Sequence, residues 1–230
     1  MKKIAIIGHK GFLGSRIHKA IPEAVGIGRG ELNKILDNKF DWIINCAMKY
    51  RGTDEEIITD NMLPFLKCIT ALTLHNSKII QFGTIMEGRE FDLYTMCKAV
   101  THEYVYAGEE CRNDLIYYIP LGDVYDPEDT SRGKYIDKVI NGEKKIIENS
   151  CDYNKSMSAC YPTDYQDIIK YVIKLMQNKP CSRDELYCKA FIADGCSRGQ
   201  RWYGGYVNSE MKLLFQKFMR LVKKEKKNEF

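Results

Sequence analysis

The C-x-x-C pair that would signal a zinc or redox site is missing from this 230-residue sequence, although it holds nine cysteines. Its histidines, His9, His18, His75 and His102, stand nowhere near those cysteines at zinc-ligand spacing, so no metal is expected. A secretion signal is lacking too: Met1-Lys2-Lys3 leads into only four apolar residues, Ile4 to Ile7. The thiols are therefore expected to be reduced and the protein cytoplasmic, and the glycosylation-like Asn154-Lys155-Ser156 is read as a chance match. No apolar run approaches the roughly 18 residues that span a bilayer, so no membrane is expected as a partner. A large excess of one sign of charge is lacking, the formal net being +4, and the surplus gathers in Lys223-Lys224-Glu225-Lys226-Lys227, a solvated terminus. That is too mild a balance for a nucleic-acid partner. Internal repeats and low-complexity segments other than this lysine tail are also absent. What is present, 44% hydrophobic residues, suffices for a globular core in one domain, or in one plus a small appendage.

Short apolar runs alternate with helical patterns through the first half, which predicts an α/β, doubly wound parallel sheet covered on both faces. Strands are expected at Ile4 to Ile7, Val25 to Ile27, Asp41 to Asn45, Lys78 to Phe82 and Leu115 to Ile119. Helices are expected from Gly14 through Ala20, over Asn61 to Leu74, and from about Leu93 to Gly108. Beyond Pro120 the rhythm loosens, with helices expected at Tyr135 to Asn141, Asp164 to Gln177 and about Ser209 to Val222. Between Lys179 and Tyr206 no period is evident. The expected division is a dinucleotide-binding domain over 1–122, with the 164–178 helix packing back on it, and a small substrate lobe from 123–163 and 179–230.

The first strand runs straight into Gly8-His9-Lys10-Gly11-Phe12-Leu13-Gly14, and a helix follows at once. In this context the glycines allow a sharp turn, a close backbone approach to a pyrophosphate and tight helix–sheet packing, while free amides at the helix start face the anion. At the end of the second strand, Val25-Gly26-Ile27-Gly28-Arg29-Gly30 lacks the acid that would bind an adenosine ribose. Arg29 instead offers a guanidinium to a 2′-phosphate, which inclines the expected cofactor to NADP over NAD, with Glu31 close enough to blur the choice.

Tyr94 and Lys98 lie one helical turn apart on one face. A cation beside a phenol draws its pKa down from about 10 towards neutrality and makes it a usable acid/base. Upstream, the buried strand Ile79 to Phe82 ends at Gly83-Thr84, at the sheet edge where open α/β folds bind ligands, so the Thr84 hydroxyl is placed to steady a reacting oxygen.

The order glycine loop with Phe12-Leu13 before the last glycine, Asn45-Cys46-Ala47, Asn61, Gly83-Thr84 and Tyr94 to Lys98 resembles the extended short-chain dehydrogenase/reductase family, the nucleotide-sugar epimerases, dehydratases and reductases. The resemblance covers roughly residues 1 to 175 and implies a Rossmann-type fold with a shortened C-terminal lobe. It implies Thr84, Tyr94 and Lys98 as catalytic residues, and Gly8, Gly11, Phe12, Leu13, Gly14, Arg29, Asn45, Cys46, Ala47, Lys98 and Leu121 as cofactor contacts. Leu121 opens Leu121-Gly122-Asp123-Val124-Tyr125, which resembles the family's strand-end motif bordering the nicotinamide; Tyr165-Gln166-Asp167-Ile168 resembles its later helix start. A homodimer through the helices of Asn61 and Tyr94 is implied as well.

Two departures shape the expected chemistry. Ile85-Met86 follow Thr84 where dehydratases carry an acidic pair, which disfavours elimination, and Tyr125-Asp126-Pro127 stands where the family reads Tyr-Gly-Pro. The expected function is an NAD(P)-dependent oxidoreductase or epimerase acting on a nucleoside-diphosphate sugar. A non-catalytic NAD(P)-binding sensor of the same fold and a reductase of a small carbonyl compound are the alternatives.

Overall fold

The computed structural model describes residues 2–84, 92–107, 115–121, 123–126 and 162–177. They fall into two compact units divided between Pro120 and Leu121. The helices expected at 135–141 and 209–222, and the aperiodic 179–206 stretch, lie outside the described residues.

In the first unit the chain runs β1 (Ile4–Ile7), α1 (Phe12–Ala20), β2 (Val25–Ile27), a single 3-10 turn (Arg29–Glu31), α2 (Lys34–Asp37), β3 (Trp42–Asn45), α3 (Asp54–His75), β4 (Lys78–Thr84), α4 (Leu93–Ala107) and β5 (Ile116–Leu121), whose last residue enters the second unit. These strands form one sheet in the order β2-β1-β3-β4-β5, with β2, β1, β3 and β4 paired in parallel. The order reverses at β1, so the carboxyl ends of β1 and β3 flank the topological switch point where such sheets bind ligands. Among the described residues β2 is an end strand, three residues long with Gly26 in its middle.

Burial explains why the strands read as continuous apolar runs. Ala5, Ile7, Ile43 and Ile79 pack with Phe40, Cys68 and Leu72 into one cluster, and Met62 and Phe65 of α3 meet Cys97 and Val100 of α4 in another. A tilted pair of aromatic rings, Trp42 and Tyr117, adds to the packing with centroids 5.4 Å apart.

Helix α3 begins seven residues earlier than its apolar spacing suggests, at Asp54 rather than Asn61. The cause is a capping box: Thr53 Oγ1 accepts from the Glu56 amide at 3.3 Å, and Glu56 Oε2 accepts from the Thr53 amide at 2.9 Å. Asp54, Glu55 and Glu56 suit the positive end of the helix dipole. At its other end Asn76 adopts the left-handed conformation, φ 55°, and closes the helix through Leu72. Contrary to the expectation from apolar runs, α3 at 22 residues is long and apolar enough to cross a bilayer, yet most of that stretch is buried inside the protein.

In the second unit β6 (Asp123–Tyr125) pairs in parallel with β7 (Pro162–Asp164), and α5 (Tyr165–Met176) follows directly. Asp164 caps α5, its Oδ1 accepting from the Gln166 amide at 2.8 Å, and the helix buries Ile168, Tyr171, Val172, Leu175 and Met176.

Candidate functional site

The turn out of β1 is built around Gly8. Its φ of +75° excludes other residues without strain, and a Cβ there would stand 3.0 Å from the Ala47 nitrogen, so the loops after β1 and β3 press backbone against backbone. Gly14 lies closer still: a Cβ would come within 2.2 Å of the Gly8 carbonyl oxygen. The loop is locked by the Gly11 amide donating to Gly8 O at 2.9 Å, and Gly11 serves as N-cap of α1. No side chain caps that helix and its first turn holds no acidic residue. A helix start of this kind, reached over glycines at the switch point, fits the pyrophosphate of a dinucleotide. Phe12 and Leu13 form its first turn, and the Arg16 guanidinium lies 3.9 Å from the Phe12 ring centroid while donating to Phe12 O at 3.0 Å.

From the opposite side of the switch point comes a buried polar chain. The Asn45 Nδ2 donates to Gln81 Oε1 at 2.7 Å, the Ala47 amide donates to Asn45 Oδ1 at 3.1 Å, and Gln81 Nε2 donates to Phe82 O at 3.0 Å. The same Phe82 carbonyl accepts from Lys98 Nζ at 3.2 Å. Asn45, Gln81 and Lys98 are all buried, so their polar atoms need these partners. Gln81 escaped the sequence reading, although a lone amide inside the run Ile79-Ile80-Gln81-Phe82 is the signal that marks it. Asn61 performs a similar task on the loop after β3, donating to Lys49 O at 2.6 Å and to Ile57 O at 2.8 Å.

Lys98 Nζ lies 5.7 Å from the centroid of the Tyr94 ring, one turn along α4. The Tyr94 hydroxyl donates to Met48 Sδ at 3.2 Å, and Met48 is exposed. Thr84 closes β4 and is buried. Burial pushes the Cys46 thiol up to about 12 against the opposing pull of the Lys98 charge, and Cys97 likewise to about 12. Neither thiol is therefore a nucleophile at neutral pH. Leu121 closes β5.

At the end of β2, the exposed Arg29 guanidinium carries an ion pair that its surroundings in the sequence do not disclose. Its Nη2 stands 2.6 Å from Asp60 Oδ2 of α3, and Lys49 Nζ stands 3.5 Å from the same oxygen and 3.1 Å from Glu56 Oε1. Glu31 turns back on its own turn, Oε2 accepting from the Gly28 amide at 3.0 Å and Oε1 meeting the Lys34 ammonium. The Lys34 hydrogen bond, then the Gly28 amide, holds this carboxyl below its ordinary value. His9 covers Gly26, where a Cβ would meet its ring at 2.6 Å, and it sits edge-on to His18 with centroids 5.5 Å apart.

No protein-family model matches the sequence, and no curated protein matches it. Solved structures do match in shape. The ADP-L-glycero-D-manno-heptose-6-epimerase of Helicobacter pylori superposes with a TM-score of 0.56 at 14% identity, covering 76% of this chain and 73% of its own. The GDP-mannoheptose C4 reductase of Campylobacter jejuni, with NADP bound, gives 0.56 at 14% identity over 77% and 73% of the two chains. The UDP-N-acetylglucosamine 4-epimerase of Bacillus cereus gives 0.52 at 15% identity over 79% and 76%. With its parallel sheet and glycine-lined turn at the switch point, the chain has the fold of the extended short-chain dehydrogenases/reductases.

Proposed function

We propose that the protein is an NAD(P)-dependent oxidoreductase or epimerase acting on a nucleoside-diphosphate sugar, with Thr84, Tyr94 and Lys98 as its reacting set. The observation that carries this reading is the buried Lys98 ammonium 5.7 Å from the Tyr94 ring, on a helix that follows a strand ending in Thr84. Binding alone needs no such pairing. A nicotinamide cofactor, when bound, supplies or accepts the hydride. The backbone of Gly8, Gly11, Phe12, Leu13 and Gly14 would hold its pyrophosphate, Asn45, Cys46 and Ala47 would border it, and Lys98 would lie at its nicotinamide end.

Within this reading Tyr94 exchanges a proton with the substrate hydroxyl, and Thr84 donates a hydrogen bond to the same oxygen. Before doing so Tyr94 gives up its bond to Met48 Sδ, and a thioether is a weak acceptor, so the exchange costs little. Lys98, held by Phe82 O, keeps its ammonium 5.7 Å from the Tyr94 ring, one turn along the same helix. Cytoplasmic location, a homodimer built on α3 and α4, and a division of labour between a nucleotide-binding domain and a shortened substrate lobe belong to the same proposal.

The test is turnover of a panel of nucleoside-diphosphate sugars, followed by nicotinamide absorbance and by product analysis of the sugar. Activity that Tyr94→Phe abolishes while cofactor affinity stays unchanged supports the reading. Equal activity in the variant, or cofactor binding without turnover of any member of the panel, overturns it. Dinucleotide retained through purification would favour an epimerase that recycles its cofactor over a reductase that exchanges it.

A further inference from the structure

We propose that Asp60 sets the cofactor preference, neutralising Arg29 so that the adenosine end of the site selects the dinucleotide without a 2′-phosphate. The inference rests on the dinucleotide reading given above and specifies its ligand. A guanidinium at the end of the second strand binds a 2′-phosphate only if it brings uncompensated positive charge and open donors. Arg29 keeps open donors, being 72% exposed, but its charge is compensated. Its Nη2 is 2.6 Å from Asp60 Oδ2, and the second cation within reach, Lys49, is shared between Asp60 at 3.5 Å and Glu56 at 3.1 Å. Two cations are thus matched by two carboxylates. Beside them the Glu31 carboxylate is matched by Lys34, so these six side chains together present a dianion with no net positive charge.

Moving Arg29 onto a phosphate would also leave Asp60 worse off. Its side chain is 13% exposed against 72% for Arg29, and its Oδ2 is buried with no aligned hydrogen bond among the described residues, so it depends on these two charges. A buried carboxylate stripped of its nearer cation is destabilised, whereas the exposed guanidinium loses little by staying where it is. The partner responsible lies on α3, far along the chain from Arg29, which is why the Gly28-Arg29-Gly30 segment alone points to NADP.

The test uses the 230-residue chain and equilibrium binding of NADH and NADPH, read by nucleotide fluorescence. Wild type is expected to bind NADH about tenfold more tightly than NADPH. Asp60→Asn, nearly isosteric, should shift the ratio about tenfold towards NADPH, and adding Arg29→Ala should remove that shift. Arg29→Ala alone should change wild-type NADPH affinity by less than about threefold. A wild-type preference for NADPH, an unchanged ratio in Asp60→Asn with both nucleotides still bound, or a more than tenfold loss of NADPH affinity in Arg29→Ala alone would each overturn the assignment of Asp60 while leaving the dinucleotide reading intact. Should neither nucleotide bind wild type, both fail together. If Asp60→Asn does not fold, the wild-type ratio and the Arg29→Ala measurement decide the matter by themselves.

Discussion

Replacing Gly14 with alanine probes the phosphate loop at its tightest point. The added Cβ would lie 2.2 Å from Gly8 O and 2.8 Å from the Gly8 carbonyl carbon, and real Cβ atoms do not approach within 3.0 Å. The obstruction is backbone, which cannot rotate away as a side chain would. Either α1 lifts off the sheet by about 1 Å or the turn at Gly8 opens. Overpacking of this kind costs on the order of 1–3 kcal/mol, and a rigid obstacle puts it near the upper end. For a chain of this size that corresponds to a Tm lowered by roughly 6–12 °C. Because the displaced amides are those proposed to face a pyrophosphate, dinucleotide affinity should fall at least about tenfold in the same variant. Gly30→Ala is the control, since a Cβ there meets nothing within 4 Å, and it should be neutral or slightly stabilising. Thermal unfolding with and without NADH measures both quantities. A Gly14→Ala protein that melts within about 2 °C of wild type and binds NADH equally well would refute the packing argument.

Tyr94→Phe should lower kcat by roughly a hundred- to ten-thousandfold with little change in Tm or cofactor Kd, as steady-state kinetics and binding on one preparation would report. Thr53→Ala removes one half of the capping box and should destabilise the fold by about 1 kcal/mol, a Tm drop of roughly 2–4 °C in thermal denaturation. Burial raises the Cys46 and Cys97 thiols from 9.0 to about 12, so both states are protonated below pH 9 and only the unfolded chain loses protons above it. Stability should therefore be flat up to about pH 9 and fall between there and pH 12, by up to about 1.4 kcal/mol per pH unit for each thiol, as denaturant titrations at several pH values would measure. For the same reason Cys46, Cys68 and Cys97 should resist iodoacetamide at pH 8 until denaturant is added, with mass spectrometry locating any adduct.

Much of this architecture is legible in one dimension because its determinants are local. The run from Ile4 to Ile7 into three glycines specifies a strand, a turn and a helix within fourteen residues, and the structure contains all three. Tyr94 and Lys98 come together because a helix repeats every turn. The early start of α3 was equally present in Thr53 and Glu56, but apolar spacing cannot see a cap made of polar residues. What sequence could not disclose is who neutralises whom. Arg29 and Asp60 become neighbours only after β2, β3 and α3 have packed, and the amide chain from Asn45 through Gln81 to Lys98 needs three separate elements in register.

The brevity of β2 bears on how the sheet of the described residues ends. An outermost strand leaves one side of its backbone ready to template another chain. Here that side offers only Val25, Gly26 and Ile27, and the glycine lies beneath the imidazole of His9. Three residues are too few to nucleate a ladder with a stranger, so the sheet can end there without a protective wall, and lengthening this strand by substitution would be expected to invite fibrils before it improved folding.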